Sequence, residues 1–305
     1  MNELTGDLES KMMPLPGCPL CRGKGRKKLF KLDFSSVYQC TGCSLRYLDP
    51  CLSPQGMQEL YSSTDNLTAL NQFHSTYYGY CDPNASSRTI KDFERALCLL
   101  DGPEAKPGKS VFDVGCGNGL FLAVAKKKGW EAHGCDSSKM NVSLAKAKFG
   151  VDVDCSGFAQ WEPRGRQYDV VSFWDVLEHL ADPHSFVEKA IGILKPGGQI
   201  MVGGPNDQSF FRIFSEMLFL VTAEKMRGPI QKAYLLEHTA YYTVDTIKAL
   251  FSQYGFAIHR YFMSSTDLEK YHLAALEKIM AAMVLTTGKL LGSQNRMIAV
   301  FRRRV

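Results

Sequence analysis

Between residues 109 and 206 the chain alternates short apolar runs with longer segments of helical spacing. The apolar runs are SVFDVG (110–115), EAHGCD (131–136), VDVDCS (151–156), YDVVSFW (168–174) and QIMVGG (199–204). Between them lie helical patterns such as 119–128, closed by Gly129, and 183–195, closed by KPGG. Strands covered on both faces read as near-continuous apolar runs, and their alternation with helices predicts a doubly wound, mostly parallel α/β sheet. After Pro205 the pattern predicts an aromatic-rich helical stretch (209–227), a helix (243–254), a strand (255–263), a long helix (267–291) and a terminal strand (296–303). The two late strands bring the expected sheet to seven.

Upstream, the pattern changes character. Residues 14–50 hold two cysteine pairs and a basic stretch, and read as a small separate ribbon. Residues 51–108 are polar and aromatic with weak helical patterning, a helical linker or cap that ends in the breaker-rich DGPEAKPGK. The main domain then runs over 109–305, with a lid insertion expected at about 207–242. At 305 residues the chain fits one large domain plus an appendage. Its net charge of +5 favours anionic substrates without marking a dedicated nucleic-acid binder. The N-terminus shows no secretory pattern and no run has the length of a membrane span. With ten cysteines and no export signal, the expected setting is a reducing cytoplasm, where thiols are free, catalytic or metal-bound.

The stretch VFDVGCGNGLFL (111–122) breaks an apolar strand into glycines at 115, 117 and 119. A dinucleotide fingerprint wants its third glycine at position 120, where the chain has Leu120, and a P-loop wants a terminal Gly-Lys-Ser/Thr that is absent. Asp113, at the strand end before the loop, suits a backbone or ammonium donor. The glycines at 115, 117 and 119 let an amino-acid moiety and a ribose lie against the turn. Asp136, at the end of the next strand, is placed to accept hydrogen bonds from ribose hydroxyls. A ligand-free tight turn is the competing reading.

VFDVGCGNG, then GCD, then YDVVSFWDVLEHLADP, then ILKPGGQIMVGGPN together resemble the class I S-adenosylmethionine-dependent methyltransferases, over about residues 109–206 with a weaker echo at 237–256. The resemblance implies a Rossmann-like methyltransferase fold. It places Gly115 and Gly117 at the methionine part, Asp136 at the ribose, Ser137, Phe158 and Ala159 near the adenine, and Trp174 and Asp175 on the sulfonium side. The place after the fourth strand reads WDVLEH rather than an NPPY-type motif. That argues against adenine N6 or glutamine amides as acceptors, and leaves oxygen, carbon and other nitrogens open.

CPLC (18–21) and CTGC (40–43) are two C-x-x-C knuckles 18 residues apart, a spacing that fits one tetrahedral zinc on Cys18, Cys21, Cys40 and Cys43. Four thiolates leave no open position, so the expected role is structural. This region resembles the zinc ribbon that precedes many bacterial methyltransferases of sugars, glycans and secondary metabolites. The basic run RGKGRKKLFK (22–31) between the knuckles is either a solvated loop or a docking surface for a phosphorylated or carrier-linked substrate, or for RNA. The remaining cysteines lack metal spacing and read as small core residues.

A sulfonium is an activated donor, so the protein mainly positions the reactants and, for a hydroxyl, supplies a base. His179 and His238 are the base candidates, since both fall on segments leaving the strands' C-terminal ends. Glu178 is read as a residue holding the turn. Tyr77, Tyr78 and Tyr80 are read either as closing over the cofactor or as packing. The Phe-, Leu- and Met-rich stretch 209–226 is read as a lid over an apolar pocket in preference to an interfacial helix. The expectation is methyl transfer to a hydroxyl of a small-molecule or carrier-linked acceptor. The alternatives are an RNA methyltransferase docking through the ribbon, and a non-catalytic interaction module.

Overall fold

The run Tyr168–Trp174 is buried almost throughout because it lies in the middle of a sheet covered on both sides. The computed structural model describes residues 10–61, 88–101, 108–268 and 275–304, and the following concerns those residues. In chain order the strands are β1 (Met12–Met13), β2 (Arg26–Lys31), β3 (Ser36–Cys40), β4 (Arg46–Asp49), β5 (Cys51–Leu52), β6 (Ser110–Val114), β7 (Glu131–Asp136), β8 (Asp154–Cys155), β9 (Tyr168–Trp174), β10 (Leu194–Pro205), β11 (Ala240–Tyr241), β12 (Phe256–Ser264) and β13 (Arg296–Arg303). The helices are α1 (Pro54–Leu60), α2 (Arg88–Asp101), α3 (Leu120–Lys127), α4 (Lys139–Phe149), α5 (Pro183–Gly192), α6 (Phe210–Val221), α7 (Arg227–Ala233), α8 (Val244–Ser252) and α9 (Ala275–Leu290), with a single 3-10 turn at Leu177–His179.

Seven strands form the main sheet in the order β12-β13-β10-β9-β6-β7-β8. The four pairings from β10 to β8 are parallel, and β13 runs antiparallel to both neighbours. This is the doubly wound, mostly parallel seven-stranded sheet expected from the alternating pattern, in the arrangement the family resemblance implies. Side chains of a strand alternate between faces. Val171 and Phe173 accordingly enter one core cluster, while Val170 and Trp174 enter another.

Several boundaries differ from the sequence expectation. The expected strand 151–156 shrinks to Asp154–Cys155, an exposed pair at the sheet edge with one neighbour strand. The expected helix 183–195 stops at Gly192, and KPGG lies inside β10. There the register shifts between Leu194 and Gln199, and a Cβ on Gly198 would sit 2.9 Å from the Lys195 carbonyl oxygen. The Gly-Gly therefore serves a bulge in a strand rather than a helix stop. Of the expected helical stretch 209–227 only α6 forms, ending at Val221 before Ala223 and Glu224 take left-handed φ values of 49° and 65°, and α7 begins at Arg227. Of the long helix expected over 267–291, the described part begins at Ala275.

The cysteine-bearing residues build a second sheet, ordered β11-β4-β3-β2. Its fourth strand comes from the other end of the chain: Ala240 pairs with Tyr47 and Tyr241 with Arg46. Side chains tie the same sheet to α6 and α7. Arg46 Nη1 donates to Glu216 Oε1 at 2.5 Å and to the Tyr234 hydroxyl at 2.9 Å, and Arg227 and Gln231 donate to the two oxygens of Asp33. Phe30 packs edge-on against Tyr234 and beside Phe219. The segment 207–242 is thus fastened to the ribbon along its length.

Candidate cofactor cleft and acceptor-side histidines

β6 delivers Asp113 to the mouth of a cleft of about 500 Å³, lined in part by Thr89, Phe93, Asp113, Gly115, Gly117 and Trp174. The turn after the strand has φ of 62°, 55° and 79° at Gly115, Gly117 and Gly119, a region that side chains resist. A Cβ at Gly119 would meet that of Ala145 at 2.9 Å, so α4 closes on the loop only because this residue is glycine. At Gly117 nothing stands within 4 Å of an added Cβ, and the glycine leaves open backbone facing the cleft.

Asp136 is stitched to the same loop. Its Oδ2 accepts from the Gly117 amide at 2.9 Å, and its Oδ1 accepts from the Ser138 amide at 2.9 Å and the Asn141 side chain at 3.2 Å. Asp113 accepts from the Ser172 hydroxyl at 2.7 Å. Burial raises both carboxyls above the usual range, and the Asp136 charge pushes Asp113 further. Acids held this way favour a ligand that brings positive charge, such as an ammonium or a sulfonium.

Trp174, at the end of β9, is buried against Phe93 and Phe121, with ring centroids 4.6 Å and 5.3 Å away. The next residue, Asp175, takes a left-handed φ of 53° and forms an ion pair with Arg296 of β13 at 2.8 Å. A non-glycine residue at positive φ at a strand's C-terminal end marks a functional turn.

Of the ten cofactor-side residues expected, the structure gathers Asp113, Gly115, Gly117 and Trp174 around one cleft, with Asp136 bonded to its loop, Gly119 capping α3 and Asp175 following Trp174. Ser137 is exposed beside Asp136. Phe158 and Ala159 do not line the cleft. The Phe158 ring is buried among Phe112, Trp161, Phe173 and Phe186, and Ala159 offers its carbonyl to Lys189. Tyr77, Tyr78 and Tyr80 lie outside the described residues.

His179 and His238, 59 positions apart in sequence, stack edge to face with ring centroids 4.8 Å apart. His179 Nδ1 lies 2.8 Å from the Glu237 carbonyl oxygen, which only accepts. Nδ1 of the ring therefore carries a proton and donates it to that carbonyl. Burial, with the His179 ring beside it, lowers His238 to about 3. Sequence reasoning gave Glu178 only a turn-holding part. Its side chain is buried under Gly204, its Oε1 has no hydrogen-bond partner among the described residues, and burial together with the Asp175 charge lifts it to about 8. No local signal marks it, because its surroundings come from β9, β10 and the segment before β11. Glu178, His179 and His238 each bring a ligand atom within 4.8 Å of the others and can hold a metal ion.

The four cysteines form the other such group among the described residues. Cys18 and Cys43 sulfurs lie 3.4 Å apart, as do those of Cys21 and Cys40, and the Gly42 amide points at the Cys40 sulfur. Tetrahedral zinc with bonds of about 2.3 Å needs its sulfurs nearly this close. The Cys43 thiol next to it holds Cys18 down at about 5, which favours a metal-binding thiolate.

A family model described as a methyltransferase domain matches residues 85–261, more than half of the chain. Among curated relatives, the ubiquinone biosynthesis O-methyltransferase of Burkholderia pseudomallei (strain 1710b) is 30% identical over 138 residues, which cover 43% of this chain and 60% of that protein. The protein of the same name from Azoarcus sp. (strain BH72) is 30% identical over 159 residues, covering 50% and 66%. The chain thus spans well under the full length of these relatives. Among solved structures, the magnesium protoporphyrin IX methyltransferase of Synechocystis PCC 6803 with bound SAH superposes with a TM-score of 0.54 at 17% identity, over 83% of this chain and all of that one. A cyclopropane synthase from Mycobacterium tuberculosis gives 0.54 at 16% identity, over 81% and 98%. With the glycine turn, the two strand-end acids and the sheet order in place, the chain belongs to the methyltransferase-domain family.

Proposed function

We propose that the chain is an S-adenosylmethionine-dependent methyltransferase acting on a hydroxyl oxygen of a small-molecule or carrier-linked acceptor, with His179 as the proton acceptor and His238 packed against its ring. The observation that carries this reading is the edge-to-face His179–His238 contact, with Nδ1 of His179 committed to a carbonyl and His238 held neutral by burial. The Nδ1 contact orients the His179 ring, and imidazole is the side chain suited to take a hydroxyl proton near neutral pH. As the oxygen–methyl bond forms and the carbon–sulfur bond breaks, the hydroxyl proton passes to the imidazole and S-adenosylhomocysteine leaves uncharged at sulfur. The name shared by the curated relatives, O-methyltransferases of ubiquinone biosynthesis, supports a hydroxyl, and a phenolic one first.

In this reading Asp136 receives the ribose hydroxyls, Asp113 and the Gly115–Gly119 turn the amino-acid part, Trp174 and Asp175 the sulfonium side, and Ser137 lies near the adenine. Cys18, Cys21, Cys40 and Cys43 hold one structural zinc. The RNA reading has less support, because Arg26 of the basic run is spent on an ion pair with Asp49 and on the Tyr38 ring.

The test is methyl transfer to catechol-type acceptors with purified protein. His179→Gln and His238→Gln are each expected to lower turnover by about 10²-fold with cofactor affinity unchanged. Full turnover in the double variant removes the base assignment. Metal analysis is expected to find about one zinc per chain, lost on replacing Cys18 and Cys40 by serine. A folded wild type without zinc removes that assignment.

A further inference from the structure

α6, read from the sequence as part of a lid, and α9 stand side by side on the surface. α6 turns Arg212, Ser215 and Phe219 inward and leaves Ile213, Met217, Leu220 and Val221 outside, a stripe at helical spacing in which Leu220 is 63% and Val221 72% exposed. α9 lies against it, since a Cβ on Gly288 would come within 3.3 Å of that of Phe210. Ile279, Met280, Met283 and Leu290 of α9 are all more than half exposed, and its central stretch Ile279–Gly288 contains no charge. An apolar surface of this extent on a folded chain marks a contact site rather than a solvated face.

The rim says what covers it. Lys225, Lys278 and Lys289 are exposed around the two helices, and β2, seated against α6 through Phe30, adds exposed Lys27, Lys28 and Lys31. Of the nearby acids, Asp33 and Glu277 are engaged by Arg227 and Lys232, and Glu224 is exposed beside Lys225, so the lysines outnumber the acids along the rim. A second copy docked by a two-fold axis would set these lysines against one another. An anionic lipid surface neutralises them. The described part of α9 is about 24 Å long, short of the ~30 Å hydrocarbon thickness, and no helix among the described residues is long and apolar enough to cross a membrane. The helices therefore suit a position in the interface plane, apolar face down. We infer that the α6–α9 face, with its lysine rim, docks the enzyme on an anionic bilayer.

The test is co-sedimentation of the full-length, zinc-loaded protein with phosphatidylcholine vesicles and with vesicles containing phosphatidylglycerol. Binding is expected to the anionic vesicles, weaker on neutral ones and weakened by salt. The pair Leu220→Glu and Val221→Glu, and separately Met283→Glu, are expected to cut binding at least about tenfold. Circular dichroism and cofactor calorimetry confirm that the variants remain folded and loaded. No sedimentation with anionic vesicles at low salt overturns the inference, as does undiminished binding by both variants. A concentration-dependent dimer that Met283→Glu dissolves assigns the face to a second copy and overturns it too.

Discussion

The indole of Trp174 occupies the space above Gly203, so that a Cβ built on Gly203 would overlap the six-membered ring. The two residues face each other across neighbouring strands, in register in the β9–β10 ladder. Gly203→Ala must therefore displace the ring that lines the cleft. Overpacking of this kind costs about 1–3 kcal/mol. The expected outcome is a lower Tm together with weaker cofactor binding, read by thermal melt and calorimetry; unchanged affinity would show that Trp174 is not part of the cofactor site.

Asp136 spends its two oxygens on the Gly117 and Ser138 amides and the Asn141 side chain. Replacing it by alanine removes the proposed ribose acceptor and unpins the loop at the same time. Hydrogen bonds to a charged group contribute about 1.5–3 kcal/mol, so the cofactor Kd is expected to rise by about tenfold to a hundredfold. Asn141→Ala separates the two effects, since it loosens the carboxylate without removing it, and its expected loss is smaller.

Glu178 gives a pH signature. Its folded-state value of about 8 lies above the usual 4.5, so between those values the folded chain holds a proton that the unfolded chain has released. Stability due to this residue is present in full below pH 4.5 and is lost as pH rises towards 8. His238 acts oppositely: lowered to about 3 from 6.5, it makes stability rise with pH across that window. Glu178→Gln is expected to remove the alkaline decline, so that its Tm exceeds that of the wild type most at pH 8. A variant whose Tm follows the wild type at every pH would contradict the buried, unpaired placement of Oε1.

Arg46 holds Glu216 at 2.5 Å and Asp207 at 3.6 Å, and Asp207 also pairs with the buried Arg212 at 2.8 Å. Removing one member of a buried ion cluster costs about 3–5 kcal/mol, because its partners stay desolvated. Arg46→Ala is expected to lower the unfolding free energy, extrapolated from urea titrations, by that amount. Limited proteolysis should then cut first within 207–242. Arg46→Lys keeps the charge but not the fork, and is expected to recover only part of the loss.

Much of the frame was legible in the residues. Glu131–Asp136 and Tyr168–Trp174 have the bounds their apolar runs suggest, because central strands are buried on both faces and leave little room for polar positions. Legibility fell where a local signal has two structural uses. KPGG reads as a helix stop, yet Gly198 is needed for a bulge. The aromatic run after Pro205 reads as one helix, yet two left-handed residues end it early. The cleft was readable because its glycines and acids sit next to one another in sequence. The surroundings of Glu178 and Phe158 were not, since burial there is made by residues from distant strands.

The pairing of β11 with β4 has a consequence for the order in which the molecule is made. Residues 240–241 leave the ribosome about 190 residues after the strand they complete. Until then the cysteine ribbon, able to form early by short-range hairpin contacts, carries an open backbone edge and an uncovered Phe30. A nascent chain stalled before residue 240 is thus a folded ribbon with an adhesive side. A zinc-first folding route would hold that side in shape while the rest of the chain is synthesised, and closing it would bring His238 to its partner His179.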